Sequence, residues 1–490
     1  MRARYGGLFA NFLGYIAPSD QFYYLFSMAQ RDAPGPEQRL LVELALLGQG
    51  AAPDLSRRLG LSQPSFSRLV AKLGERLLVT GHARNTRYAA RRTVTDVGDR
   101  LPVYEISERG RAKPVATLHA LLPEAWYVEK RDERVESAFY ADLPYFLDQL
   151  RPAGFLGRLV PSQHPELEAP SDVRSWSATQ VVRYAARFGW NLPGNLIVGD
   201  EAFERYVDYA RSPPDVVPPS ARTRRYDELA RGVLEPTPGS SAGGEQPKFL
   251  VSRPHGVALI VKFSGAATNA VGKRTADLLV SEHLAHEVLR RHGHAASQSR
   301  LFRTRNRTFL EVERFDRTRE GGRRGVVSLM TLDAEFVGRL RTWGDSVEGL
   351  VAKRIVEPAM LDAARWLELF GRLIGNGDMH GGNLSFFTDG TRVAGLTPAY
   401  DMLPTRYAPQ GGNLPNEPLE LGTPSPRDSA TWDSASRAAE DFWRTVGRDS
   451  RISKHLRHLA RANAEGVAAW RKLGVLLPAS PRRPTRHSTR

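Results

Sequence analysis

From Pro36 onward, apolar positions recur at helical spacing. Leu40, Leu41, Leu44 and Leu47 share one face of a segment that Gly48 and Gly50 end. A second short helix is predicted over residues 54–59, stopped by Gly60. Ser62 suits the N-cap of a third helix, from residue 63 to about 76. Its Phe66, Leu69, Val70 and Leu73 form a buried stripe and leave Gln63, Ser65, Ser67, Arg68 and Lys72 outside. Residues 77–80 and 86–88 read as two strands around a turn at 81–85. Short β-like runs follow at 103–106, 115–118 and 126–129. The stretch 138–192 reads as mostly helical, with Phe139, Tyr145, Phe146, Trp176 and Trp190 as core. Residues 212–219, Ser-Pro-Pro-Asp-Val-Val-Pro-Pro, can only be extended chain and mark a linker or exposed loop.

The second half mixes both periods. Residues 257–263, Val-Ala-Leu-Ile-Val-Lys-Phe, form a strand with Lys262 near the end of an otherwise apolar run. A helix over 277–291 carries Glu282, and residues 308–316 run from apolar to polar as a further strand. An amphipathic helix over 363–374, with Trp366, Leu369, Phe370 and Leu373 on one side, leads into a polar loop. A hairpin of 384–387 and 393–396 turns at Asp389-Gly390 and ends at Asp401.

At 490 residues and 41% hydrophobic, the chain has room for two or three domains. A net charge of +15 calls for an anionic partner, nucleic acid or nucleotide phosphates. No cysteine is present, which excludes disulfides and thiolate metal sites and fits a reducing, cytoplasmic setting. No apolar run reaches the roughly 18 residues a membrane span needs, so no membrane partner is expected. Residues 5–17 behind Arg2 and Arg4 superficially resemble a short signal sequence. They lack an A-x-A site, and the segment is read as an accessory extension or a start codon chosen too early.

Charge also sharpens the N-terminal third. Between Arg57 and Arg92 nine Lys/Arg face the single acid Glu75. Helix, Gly-containing turn, helix and two strands are the parts of a winged helix-turn-helix that reads double-stranded DNA. Ser65 and Arg68 are the candidates for base-edge contact, with Lys72 on the same face and Arg84 and Arg87 for phosphate or the minor groove. The plainer alternative is a three-helix packing module with a solvated basic face.

The loop at 375–383 carries the candidate chemistry. Asp378 and Asn383 have the D-x-x-x-x-N spacing of a kinase catalytic loop, one carboxylate for a hydroxyl proton and one amide oxygen for a metal ion. Alone, the loop could equally be a polar turn bonding its own backbone. Lys262, in the setting of a V-A-I-K strand, needs a partner once buried, and Glu282 is the natural one. Asp401 returns to the loop and completes a Mg²⁺ site with Asn383. His380 is read as a hydrogen-bonder that organises the loop. Residues 238–251 place a Gly/Ser-rich turn before a strand, where backbone N–H groups could approach ATP phosphates. It is no Walker A loop, because Glu245 follows Gly239-x4-Gly244, and its pattern alone favours a hairpin. His283, His286, His292 and His294 lack metal-ligand spacing and are read as helix-surface residues.

Four motifs in series, Ser-Ser-Ala-Gly-Gly-Glu-Gln-Pro-Lys (240–248), Val-Glu-Arg-Phe-Asp (312–316), Asn-Gly-Asp-Met-His-Gly-Gly-Asn (376–383) and Tyr-Asp-Met-Leu-Pro (400–404), resemble the HipA-like serine/threonine kinases. The resemblance covers roughly residues 115–475. It implies a two-lobed, protein-kinase-related α+β fold, ATP and Mg²⁺, a protein Ser/Thr substrate, and a toxin paired with a DNA-binding antitoxin. By motif match it puts Ser241, Ala242, Gly243, Gly244, Glu245, Gln246, Lys248, Glu313, Arg314, Phe315 and His380 against the nucleotide. Ser241 matches the serine whose autophosphorylation silences such enzymes; a dianion there would repel ATP phosphates. Two features depart from the family. Gly382 stands where a Lys or Arg often precedes the metal-binding Asn, and the N-terminal reader is fused to the kinase unit.

The expected layout is an extension (1–35), a winged helix-turn-helix (36–100), a kinase N-lobe with linker strands and glycine-rich loop (101–320), a mostly helical C-lobe (321–476) and a basic disordered tail (477–490). Two other readings use the same residues: a DNA-binding regulator whose kinase-like part only senses nucleotide, and a small-molecule kinase of the aminoglycoside-phosphotransferase type.

Overall fold

The computed structural model describes residues 35–234, 246–339 and 341–476. The Ser241, Ala242, Gly243, Gly244 and Glu245 assignments, the extension up to residue 34 and the tail lie outside the described residues.

Three short helices, α1 (Pro36–Leu47), α2 (Ala52–Leu59) and α3 (Gln63–Leu73), precede an antiparallel ribbon of β1 (Leu77–Thr80) and β2 (Arg87–Ala90). The Ser62 hydroxyl accepts from the Ser65 N–H at the start of α3, and Gly60 ends α2 in the left-handed conformation. Gly81 is required in the ribbon: its φ is +70° and a Cβ there would sit 2.4 Å from the Asn85 carbonyl oxygen. Leu40, Leu44, Phe66, Leu69 and Leu73 are buried together, whereas Leu47, at the last position of α1, stays 38% exposed.

Not every basic residue counted in this third lies on its surface. Arg92 is 3% exposed, donates to the Leu121 carbonyl and Thr179 hydroxyl, and lies 4.8 Å over the Trp126 ring. Arg91 bonds His119. Both fix the helical module to the sheet that follows.

That sheet has five antiparallel strands in the order β6-β5-β4-β3-β7. They are β3 (Arg100–Ile106), β4 (Ala112–Leu121), β5 (Ala125–Lys130), β6 (Ala138–Tyr140) and, later in the chain, β7 (Leu196–Val198). Between β6 and β7 run α4 (Tyr145–Asp148), α5 (Gly154–Gln163) and α6 (Ala178–Phe188); α7 (Asp200–Arg211) follows. The stretch expected to be helical from residue 138 therefore opens with an edge strand. Phe139 pairs with Tyr127 across it, rings 4.6 Å apart, and sheet pairing wins over local propensity.

After α8 (Arg222–Leu234) comes a four-stranded sheet, ordered β10-β11-β9-β8, of β8 (Lys248–Arg253), β9 (Val257–Phe263), β10 (Ser299–Arg303) and β11 (Thr308–Glu313). The 22-residue α9 (Ala270–Arg291) sits between β9 and β10 in sequence and packs on the sheet. A three-stranded sheet of β12 (Gly325–Ser328), β13 (Ser385–Asp389) and β14 (Arg392–Leu396) frames the helical lobe. Its helices are α10 (Leu329–Phe336), α11 (Trp343–Ala352), α12 (Pro358–Leu373), α13 (Trp432–Arg448) and α14 (Lys454–Lys472). They share a core that includes Trp366, Phe370, Phe442 and Trp443 and reaches back to α9 through Leu284 and Val288.

Candidate active site

Lys262 and Lys248 stand opposite each other on β9 and β8. Alternation along β9 turns Lys262 toward α9, where it is only 5% exposed. Its Nζ donates to Glu282 Oε1 at 2.6 Å and to Asp401 Oδ1 at 2.5 Å. Burial would push the ammonium pKa down, but the two carboxylates overturn this and hold it above its ordinary value. Burial likewise works against Asp401, yet Lys262 and Lys248 hold its carboxyl well below the usual range. Glu282 goes the other way: burial raises it despite Lys262, and its Oε2 has no partner among the described residues.

The loop after α12 is tied to Asp401 from two sides. Buried Asn376 accepts the Asp378 N–H at 3.0 Å and donates Nδ2 to the Asp401 carbonyl at 3.3 Å. The Tyr400 hydroxyl donates to the Gly382 carbonyl at 2.7 Å. Asn383 Nδ2 donates to the Asp378 carbonyl at 2.7 Å, so its Oδ1 is the atom left to face a cation. Asp401 is held at φ +53°, a conformation seldom adopted outside glycine and kept where function uses it. The Asp378 side chain is 66% exposed, with His380 Nε2 3.9 Å from its Oδ1.

His380 organises this loop. Its Nδ1 accepts the Gly382 N–H at 3.0 Å, and its carbonyl accepts from Trp343 Nε1 at 3.1 Å. A Cβ at residue 382 would lie 2.8 Å from the imidazole, so glycine lets the ring fold back over the turn.

The other assigned residues divide. Gln246 donates to the Phe263 carbonyl, and the Phe315 ring lies 5.5 Å from Tyr400. Glu313 pairs with Arg253 at 2.6 Å. Arg314 turns its guanidinium away, onto Asp316 and Asn191, so a nucleotide in this cleft would meet only its backbone. In the N-terminal module Arg68 and Arg84 are exposed and Arg87 half-buried. Ser65 shares its hydroxyl with Ser62 at 2.9 Å, and Lys72 is paired with Glu37.

The histidines on α9 need correcting. His286 is 0% and His283 9% exposed, not surface residues, and both bond the Ser299 hydroxyl. The sheet covers the face of α9 that carries them together with Glu282. Burial, then Lys262 and Arg290, hold His286 neutral, its pKa down to about 3. Asn376 and Tyr400 belong to the quoted motifs, but the sequence pattern offered no signal for their roles.

Asp401 and Asn383 offer a carboxylate and an amide oxygen, hard donors of the kind Mg²⁺ takes alongside substrate phosphates. Among the described residues no group of three His, Asp or Glu could hold a metal by itself. The donor set therefore fits a cation that arrives with a nucleotide.

Residues 97–207 match the family model for the YjjJ-like toxin middle domain, and residues 240–469 match the HipA-like C-terminal domain. Toxin YjjJ of Escherichia coli (strain K12) is 36% identical over 434 residues, 87% of this chain and 97% of that protein. Two solved structures align at lower similarity. HipA from the Shewanella oneidensis MR-1 HipA, HipB and operator DNA complex covers 76% of this chain and 98% of its own, at 13% identity and a TM-score of 0.47. The Helicobacter pylori proinflammatory kinase CtkA covers 47% of this chain and 94% of its own, at 12% identity and a TM-score of 0.35.

Proposed function

The chain belongs to the HipA-like toxin family, and from that premise we propose that it is a Mg-ATP-dependent serine/threonine-protein kinase held at double-stranded DNA by its N-terminal module. The observation that carries this reading is the convergence of Lys262, Glu282 and Asp401, from three separate stretches of chain, beside the Asp378–Asn383 loop. Mg-ATP, when bound, supplies the phosphoryl group and the positive charge that neutralises it. Lys262, oriented by Glu282, meets the phosphates; Asn383 and Asp401 hold the cation. Asp378 orients the serine or threonine hydroxyl of a protein substrate and takes the proton that it loses. Phosphorylation of Ser241 would switch the enzyme off by charge repulsion.

DNA tethering rests on the exposed Arg68 of α3 and Arg84 of the turn between β1 and β2. A winged helix fused to the kinase would supplement the DNA contact of an antitoxin partner. A cytoplasmic location belongs to the same reading. No helix among the described residues is long and apolar enough to cross a membrane.

One observation favours a second reading. With Gly382 and a folded-back His380, the loop lacks the basic side chain that family members often place before the metal-binding Asn. A regulator that only senses nucleotide would tolerate this. Incubating the purified protein with labelled ATP and Mg²⁺ separates the two, comparing wild type, Asp378→Asn and Ser241→Ala. Kinase activity predicts label on protein that Asp378→Asn abolishes and Ser241→Ala redistributes. ATP binding without label in wild type would select the sensor.

A further inference from the structure

A cavity of about 310 Å³ lies away from the Lys262 centre, at the junction of the five-stranded and four-stranded sheet regions. Tyr206 and Tyr209 of α7, the hairpin end of β8 and β9, and the loop after β11 line it; Lys262, Asp378, Asn383 and Asp401 do not. Four residues of β9 lie between Val257, at the hairpin, and Lys262, so the two are about 16 Å apart along an extended strand.

Its wall holds four guanidinium groups, Arg253, Arg314, Arg317 and Arg323, and the Asp215 carboxylate, and the buried Asp316 carboxylate pairs with two of them. Arg314 and Arg317 share that carboxylate at 2.9 and 2.5 Å and are completed by oxygens of Asn191 and Leu192. Arg323 has no such partner. It is 3% exposed, donates one arm to the Trp190 carbonyl at 2.5 Å and lies 4.6 Å over the Tyr206 ring. Its Nη1 is buried with no hydrogen-bond partner among the described residues. Arg253 is matched by Glu313 at 2.6 Å, whereas Asp215 accepts from the hydroxyls of Tyr209 and Ser252 at 2.9 and 3.2 Å and keeps its negative charge. The four guanidinium groups thus exceed the three carboxylates Asp215, Glu313 and Asp316 by one positive charge in a buried setting. Burial, and after it the neighbouring Arg314, lowers both Arg317 and Arg323, the latter to about 10.

Uncompensated buried charge is costly, and an anionic phosphate that accepts from Arg323 would offset this excess. Guanidinium groups match phosphate geometry well, and the cavity has the size and aromatic wall of a small-ligand pocket. We infer that this cavity is a second ligand site, for a phosphorylated small molecule of mononucleotide size, with its phosphate on the Arg323 side. Such a ligand would bridge the two sheet regions. The inference does not depend on kinase activity.

The test is calorimetric titration of the full chain with AMP and, separately, with inorganic phosphate, together with hydrogen exchange to locate the ligand. AMP should bind, slow exchange in residues 206–215 and 314–323, and leave residues 376–383 unchanged. Arg323→Met should weaken AMP by about tenfold or more. Ala210→Trp, which fills the mouth of the cavity from an exposed position, should do the same and is informative even if Arg323→Met folds poorly. Protection confined to residues 376–401, or affinity unchanged in both variants, overturns the inference. Phosphate binding without AMP binding overturns the mononucleotide class.

Discussion

Replacing Lys262 by Met removes the ammonium from between Glu282 and Asp401 and keeps a side chain of comparable reach. Two carboxylates are then left without this cation, Glu282 in the interior at 1% exposure and Asp401 half-buried beside it. Removing one partner of a buried ion pair costs about 3–5 kcal/mol, and that is the expected loss at neutral to alkaline pH. The pH dependence carries the sharper signature. In the wild type Lys262 is raised above 10.5, so its contribution is complete below that value and lost only as pH rises through the raised one. Asp401 is depressed below 3.8, so its contribution is complete above that value and lost as pH falls through the depressed one. Lys262 and Asp401 are therefore at full strength across the neutral range, whereas Glu282, raised above 4.5 by burial, contributes less as pH rises through its raised value. In Lys262→Met both carboxylates lose their cation, their pKa values rise, and the penalty shrinks as they take up protons on acidification. Urea titrations read by pulsed hydrogen exchange of peptides from β9 and α9, at about pH 8 and about pH 5.5, measure this directly. A loss below about 1 kcal/mol at both pH values, or one that grows on acidification, would refute the electrostatic account of the site.

His286 is neutral and buried, with its pKa lowered from 6.5 to about 3, so the unfolded chain binds the extra proton between those values and stability falls on acidification. Between pH 6.5 and about 5 the loss from this group is about 2 kcal/mol, and His286→Gln should flatten that part of the urea-stability profile. Asn376→Ala removes the hydrogen bonds to the Asp378 amide and Asp401 carbonyl and should cost about 1–3 kcal/mol, with any ATP-dependent labelling reduced in parallel. Gly382→Ala forces the His380 ring off the turn at a cost of about 1 kcal/mol. Adding His380→Ala should cost little more, so a double-mutant cycle in urea reports the coupling. Arg68→Ala should weaken binding to a specific duplex by about 1–3 kcal/mol, and equal affinities of wild type and variant for specific and random duplexes would remove it from a recognition role.

The sequence determined what depends on neighbours along the chain. Ser62, Gly60 and the apolar stripe of α3 fix the N-terminal helices because capping and periodicity act within a few residues. The D-x-x-x-x-N spacing, the lysine in an apolar strand and the Asp389-Gly390 turn were legible for the same reason. Pairing of Lys262 with Glu282 could be anticipated, since an ammonium in an apolar strand requires a carboxylate and one lay on the next helix. Tertiary structure alone decided the rest. Short β-like runs read as linker strands close into a five-stranded sheet, whose pairing draws in Ala138–Tyr140 from a stretch with helical character. Arg91 and Arg92 leave the basic surface because their carbonyl, hydroxyl and imidazole partners lie on segments distant in sequence. His283 and His286 are buried because the face of α9 that carries Glu282 is the one the sheet covers. The position of Asp401 is set by Asn376 and Lys262 across 25 and 139 residues, and no local pattern encodes a contact of that range.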